Sequence, residues 1–244
     1  MGLGRAEVAL FLAYPASARE RGLLPAYAEL LGAGERDELV RYGLERDRVL
    51  HLVSWALART VLSRLVPGVA PAAWRFAAGP YGRPEIAAPE PPAPLRFNLS
   101  HTRGLAACAV AVGRDVGVDV EQVRPRAYWA IAESFFAPAE VAALRAAPAS
   151  ELADRFFALW TLKEAYAKAR GMGLTIGLDR FGFALGAPDG GDRIDIAAEL
   201  GDEAGSWQFA RLSPTAEHRL ALAVRRGHDP PLAVRVQTVL PLGA

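Results

Sequence analysis

Leu105-Ala-Ala-Cys-Ala-Val-Ala-Val-Gly113, with Gly117-Val-Asp-Val-Glu121 close behind it, decides the fold because it returns in outline as Leu220-Ala-Leu-Ala-Val-Arg-Arg-Gly227 followed by Ala233-Val-Arg-Val-Gln237. An apolar run, a glycine and a segment of period 2 read as strand, turn and strand. Further marks recur with one displacement: Asp47-Arg48 as Asp154-Arg155, Phe76 as Phe183 and Gly79 as Gly186, each 107 residues on. Both copies carry a long helical pattern between those marks, Arg46 to Leu65 and Leu152 to Ala169. A unit that repeats in this way implies an α+β fold of two pseudo-equivalent halves, residues 1–115 and 116–244, with a site in the cleft between them.

Shorter helices are expected at Ala127 to Phe136 and Pro138 to Ala146, and strands at Glu7 to Tyr14, Leu105 to Val112, Val116 to Glu121 and Leu220 to Arg225. Pro- and Gly-rich stretches, Ala87 to Pro94 and Gly186 to Gly191, read as loops. At 244 residues and 52% hydrophobic the chain can bury a large core. The balance of 28 basic against 27 acidic residues excludes the broad positive field of a nucleic-acid binder, so any anion recognition is local. The single cysteine, Cys108, stands in an apolar run and reads as core. No apolar run is long enough to span a bilayer. Near the N-terminus Glu7 and the brevity of the apolar run favour a first strand over a secretory signal, and the expected compartment is the cytoplasm. The four histidines show no metal-ligand spacing, which excludes a zinc site.

Two rarities mark the chemistry. Lys163 and Lys168 are the only lysines, set in Trp160-Thr-Leu-Lys-Glu-Ala-Tyr-Ala-Lys-Ala-Arg170, and Asn98 is the only asparagine, set in Asn98-Leu-Ser-His101. A compact ammonium retained in an arginine-rich chain points to a position that a planar guanidinium does not serve. On the strand Val116 to Glu121, Asp119 and Glu121 share one face and Val118 and Val120 the other. That pair is either a solvated acidic face or a site for a hard cation, which takes one or two carboxylates beside phosphate and water. On the helix, Trp160, Glu164 and Lys168 share a face, with Lys163 about 100° aside. Glu164 and Lys168 are either a surface ion pair or a third carboxylate and a phosphate-neutralising cation. Ser100, His101 and Thr102 fall at a strand entrance, where they either cap a turn or donate to phosphate. Gly79-Pro-Tyr-Gly-Arg-Pro84 is a turn that presents Arg83, and Arg36, Arg41, Arg46 and Arg48 form a basic cluster among acidic neighbours. Arg36 and Arg48 are its two candidates for anion contact.

Taken in order and spacing, Asn98-Leu-Ser-His101, Gly117-Val-Asp-Val-Glu121 and Trp160-Thr-Leu-Lys-Glu-Ala165 with Lys168 closely resemble the Sfp-type 4′-phosphopantetheinyl transferases, joined by Gly82-Arg-Pro84 and Phe135-Phe136. The likeness runs from about residue 30 to 185. It implies a monomer that moves 4′-phosphopantetheine from coenzyme A to a serine of an apo acyl or peptidyl carrier protein, with Mg²⁺ as cofactor and 3′,5′-ADP released. It further implies Asp119, Glu121 and Glu164 as metal ligands, and Glu164, Lys168 and Asp119 as the catalytic set. Coenzyme A would be held by Arg36, Arg48, Arg83, Ser100, His101, Lys163 and Lys168. Carrier contacts would lie within Arg124 to Leu144, where Phe135 and Phe136 read equally as core. Neither nucleic acid nor membrane is an expected partner. A Mg²⁺-dependent nucleotide pyrophosphatase and a non-catalytic carrier-binding module are the rival readings.

Overall fold

A computed structural model describes residues 2–187 and 191–243; of the loop expected at Gly186 to Gly191, residues 188–190 lie outside the described residues. The strands are β1 (Glu7–Ala13), β2 (Arg75–Ala78), β3 (Pro84–Ala88), β4 (Leu95–Thr102), β5 (Leu105–Val112), β6 (Val116–Gln122), β7 (Phe181–Ala184), β8 (Arg193–Ile196), β9 (Trp207–Thr215), β10 (His218–Arg225) and β11 (Ala233–Thr238). The helices are α1 (Pro15–Glu20), α2 (Leu24–Leu30), α3 (Ala33–Arg41), α4 (Glu45–Leu65), α5 (Tyr128–Phe135), α6 (Pro138–Arg145) and α7 (Leu152–Arg170).

Two sheets carry the repeat. One has the order β11-β1-β5-β4, the other β6-β10-β9, and β1-β5-β4 and β6-β10-β9 are both antiparallel. The first strand of each unit therefore pairs with the last of its hairpin. β11 leaves the second unit and lies parallel to β1.

The alternation of side chains decides the layers. On β5, Ala106, Cys108 and Val110 join the core under α4, while Leu105, Ala107, Ala109 and Ala111 join the core between the sheets. All eight residues are buried, which is why this strand reads as a continuous apolar run. Val116, Val118 and Val120 of β6 and Leu220, Leu222 and Val224 of β10 complete the central layer, and Ala221 and Ala223 turn to the core under α7. The order of layers is helix, sheet, sheet, helix.

α4 and α7 are the two long helices expected from the repeat. α4 opens with Glu45 and Asp47 and closes with Arg64, charges that complement its dipole. α7 ends where Gly171 takes a left-handed φ of 67° and its N–H bonds the Lys168 carbonyl. Among the described residues no helix is long and apolar enough to cross a membrane.

Candidate functional site

The site forms where α7 crosses β6. Gly117, Asp119 and Glu121 occupy the face of β6 opposite the valines, and Gly117 lets the helix backbone come into contact. A Cβ there would stand 2.1 Å from the Ala165 carbonyl oxygen and 2.5 Å from the Ala169 nitrogen. With two alanines and a glycine at the crossing, Glu164 and Lys168 are carried to Asp119 and Glu121.

Asp119 is buried, and its Oδ1 accepts from Lys168 Nζ at 2.6 Å and from Ser100 Oγ at 2.9 Å. Lys168 Nζ also donates to Ser100 Oγ at 3.1 Å. The helical register suggests a Glu164–Lys168 ion pair, but the ammonium is turned onto the strand instead. Glu121 receives Arg126 at 3.3 Å. Burial first, and then the Asp119 charge, raise the carboxyls of Glu121 and Glu164 above their ordinary range; Lys168 works against the shift at both, and Arg126 and Arg124 at Glu121. Three acidic groups within mutual electrostatic reach are thus only partly compensated by one ammonium and the nearby arginines.

Asp119 Oδ2 is buried and, among the described residues, has no hydrogen-bond partner. A buried carboxylate oxygen normally has one. An unpartnered oxygen beside two carboxyls held above their usual range fits a divalent cation that takes oxygen ligands. As placed, no three His, Cys, Asp or Glu donors among the described residues are close enough together to hold a metal ion.

Asp119, Glu121 and Lys168 open into a cleft of about 370 Å³ whose opposite wall is Tyr42, His51 and Trp55. A second hollow of about 310 Å³ shares the Trp55, Gly82 and Pro84 walls and runs on between α3 and the β2–β3 hairpin. His101 is exposed at the cleft wall. Ser100 also lines the cleft, with its hydroxyl turned to β6, and both residues lie within a strand of their own, β4, rather than at the entrance to β5.

The remaining candidates stand apart from the acidic cluster. Lys163 is fully buried on the far side of α7, with Nζ 2.5 Å from both Glu140 Oε2 and the Phe181 carbonyl, so it does not face the cleft. Arg83 is a clasp between the halves: it caps the Ala169 carbonyl at the end of α7 at 2.9 Å and pairs with Glu85 at 2.8 Å. Arg36 is exposed and bonds the Glu29 carbonyl at 3.3 Å. Arg48 is exposed on the first turn of α4, and neither residue walls the cleft. The expected Phe135-Phe136 pair divides, since Phe136 stacks on Phe156 with 4% of its surface exposed and Phe135 is 39% exposed beside Trp160. Tyr42, His51 and Trp55 carry no motif that marks them in sequence.

The 4′-phosphopantetheinyl transferase superfamily model matches residues 115–224, which hold β6, α7 and the acidic cluster. A 4′-phosphopantetheinyl transferase of Bacillus subtilis is 32% identical over 177 residues, covering 72% of this chain and 75% of that protein. The chain belongs to the Sfp-type 4′-phosphopantetheinyl transferases. A putative member from Synechocystis is 32% identical over 66% of this transferase and 65% of its own length. The Sfp protein of Bacillus subtilis strain 168 is 31% identical over 65% of this transferase and 68% of its own. The transferase therefore spans from 65% to 75% of the length of these relatives.

Proposed function

We propose that this transferase moves the 4′-phosphopantetheine group of coenzyme A to a serine of an apo acyl or peptidyl carrier protein in a Mg²⁺-dependent reaction that releases 3′,5′-ADP. The observation that carries this reading is the unpartnered Asp119 Oδ2, set with Glu121 and Lys168 at one end of a cleft between two lobes and within electrostatic reach of Glu164. We take those lobes as 1–115 and 116–244, with β11 returned to the first sheet.

Asp119, Glu121 and Glu164 are the residues that would hold Mg²⁺. Bound there, the ion would offset the charge of the diphosphate and of the departing nucleotide. Lys168 stands at the same end of the cleft and neutralises anionic oxygens that approach Asp119. Glu164, half-buried and with its carboxyl raised above the ordinary range, is matched to receive the proton of the attacking serine hydroxyl. The hydroxyl oxygen forms a bond to the β-phosphorus as the bond from that phosphorus to the bridging oxygen breaks, and the electron pair leaves on 3′,5′-ADP. Trp55 and the hollow beside Gly82 offer an aromatic and backbone surface to the nucleotide. We further assign the chain to action as a cytoplasmic monomer.

Incubation with coenzyme A, Mg²⁺ and an apo carrier tests the reading. A gain of one phosphopantetheine mass on the carrier supports it. Cleavage of coenzyme A with no mass on the carrier would replace it with a pyrophosphatase, and binding without either would leave a carrier-binding module.

A further inference from the structure

Three polar side chains at alternate positions of β4 stand in for a strand that β6 lacks. β6 pairs with β10 on one side and is the edge of its sheet, so the alternate N–H groups on its other side need acceptors. Val118 N–H donates to Asn98 Oδ1 at 2.9 Å, Val120 N–H to Ser100 Oγ at 3.2 Å and Gln122 N–H to Thr102 Oγ1 at 3.2 Å. The one asparagine of the chain is the first rung of this ladder.

Ser100 does more than its two neighbours. A hydroxyl has one proton to give and two lone pairs to receive with. Ser100 gives its proton to Asp119 Oδ1 and receives Val120 N–H and the Lys168 ammonium. Its capacity is full, and it is buried. Because Ser100 and Lys168 both bind Oδ1, the Asp119 carboxylate is fixed with Oδ2 left over.

We propose that Ser100 is a positioning residue for the cation-binding carboxylate. It selects which oxygen of Asp119 is offered to the ion and holds Lys168 off that oxygen. The inference rests on the proposed function, in that the ion is the one used with coenzyme A. Outer-shell partners of metal ligands are worth about ten- to a hundredfold in metal affinity, which sets the expected size.

The test is calorimetry on the full chain, with coenzyme A titrated into metal-free protein and Mg²⁺ titrated into coenzyme A-saturated protein. In Ser100→Ala the Mg²⁺ affinity should fall at least about tenfold, and by more than coenzyme A affinity does. Thr102→Val, which removes a rung without touching Asp119, should change neither. Ser100→Cys keeps the volume and weakens the hydrogen bonds, and it answers the same question if Ser100→Ala does not fold. Loss of coenzyme A affinity with Mg²⁺ affinity intact, no change in either, or an equal Mg²⁺ loss in Thr102→Val would each overturn the proposal and leave the function standing. A parent protein that bound neither ligand would overturn both.

Discussion

Gly117 lies against the backbone of Ala165 with no space for a side chain, since a Cβ would meet the carbonyl oxygen at 2.1 Å. Because that oxygen belongs to the main chain of α7, a larger residue must push the whole helix. Gly117→Ala should therefore move Glu164 and Lys168 away from Asp119. Overpacking of a close interface costs about 1–3 kcal/mol. A lower midpoint in chemical denaturation together with loss of carrier labelling is the expected result, and a variant with full activity would show that the crossing does not set the site.

Asp119 is bound to Lys168 and also repels Glu121 and Glu164. Asp119→Asn keeps the shape and removes the charge that both neighbours feel. Labelling of an apo carrier should fall by about 10²- to 10³-fold, the scale for losing one preorganised electrostatic partner. Thermal stability without metal should fall only modestly, because loss of the Lys168 ion pair is offset by relief of the repulsion on Glu121 and Glu164. An inactive variant that is also unfolded would not meet this expectation.

How much of this was legible in sequence depends on where each segment's apolar residues point. α4, α7, β5, β6 and β10 are readable to within a residue or two because one or both faces are apolar throughout. β4 does alternate, with Leu95, Phe97 and Leu99 on the core face against Arg96, Asn98, Ser100 and Thr102, but its polar face reads in sequence as one for solvent, whereas Asn98, Ser100 and Thr102 are taken up by β6. α3 buries no residue and is held through the Glu35–Arg59 ion pair at 2.7 Å and the bond between His51 and the Glu35 carbonyl. No hydrophobic pattern announces it. Scarcity groups Lys163 with Lys168, but about 140° of helix separates them, and that angle sends one into the core beneath α6 and the other to the acidic strand.

Lys163 is the centre of a structural network. Its partner Glu140 also accepts from the Ala137 and Phe183 N–H groups at 2.8 Å. Burial pulls the Lys163 ammonium below its ordinary range, with Glu140 opposing the shift. Removing one member of a buried pair leaves the other charge uncompensated, at a cost of about 3–5 kcal/mol. Lys163→Met should lose that much stability in urea unfolding, and Glu140→Gln in the same chain should restore part of it. The KM for coenzyme A should stay within about twofold; a large rise in KM without loss of stability would return Lys163 to the binding site.

Glu121 and Glu164 give the metal-free protein a distinctive response to pH. Their folded carboxyls sit above the ordinary value of 4.5, raised by burial and then by Asp119. Between the unfolded and folded values the native state binds more protons than the unfolded chain, so this contribution to stability falls as pH rises. It is fully present below the ordinary carboxylate value and is lost as pH climbs through the raised folded values. Glu164→Gln removes one of the two groups and relieves the other. The difference in melting temperature, variant minus parent, should therefore grow as pH rises from acid to neutral when metal is absent. Mg²⁺ should shrink that difference near neutral pH, because a cation stabilises the parent's carboxylates more than the variant's amide. A difference that is flat with pH, or one that Mg²⁺ leaves unchanged, would mean that the carboxylates do not act on one another where α7 crosses β6.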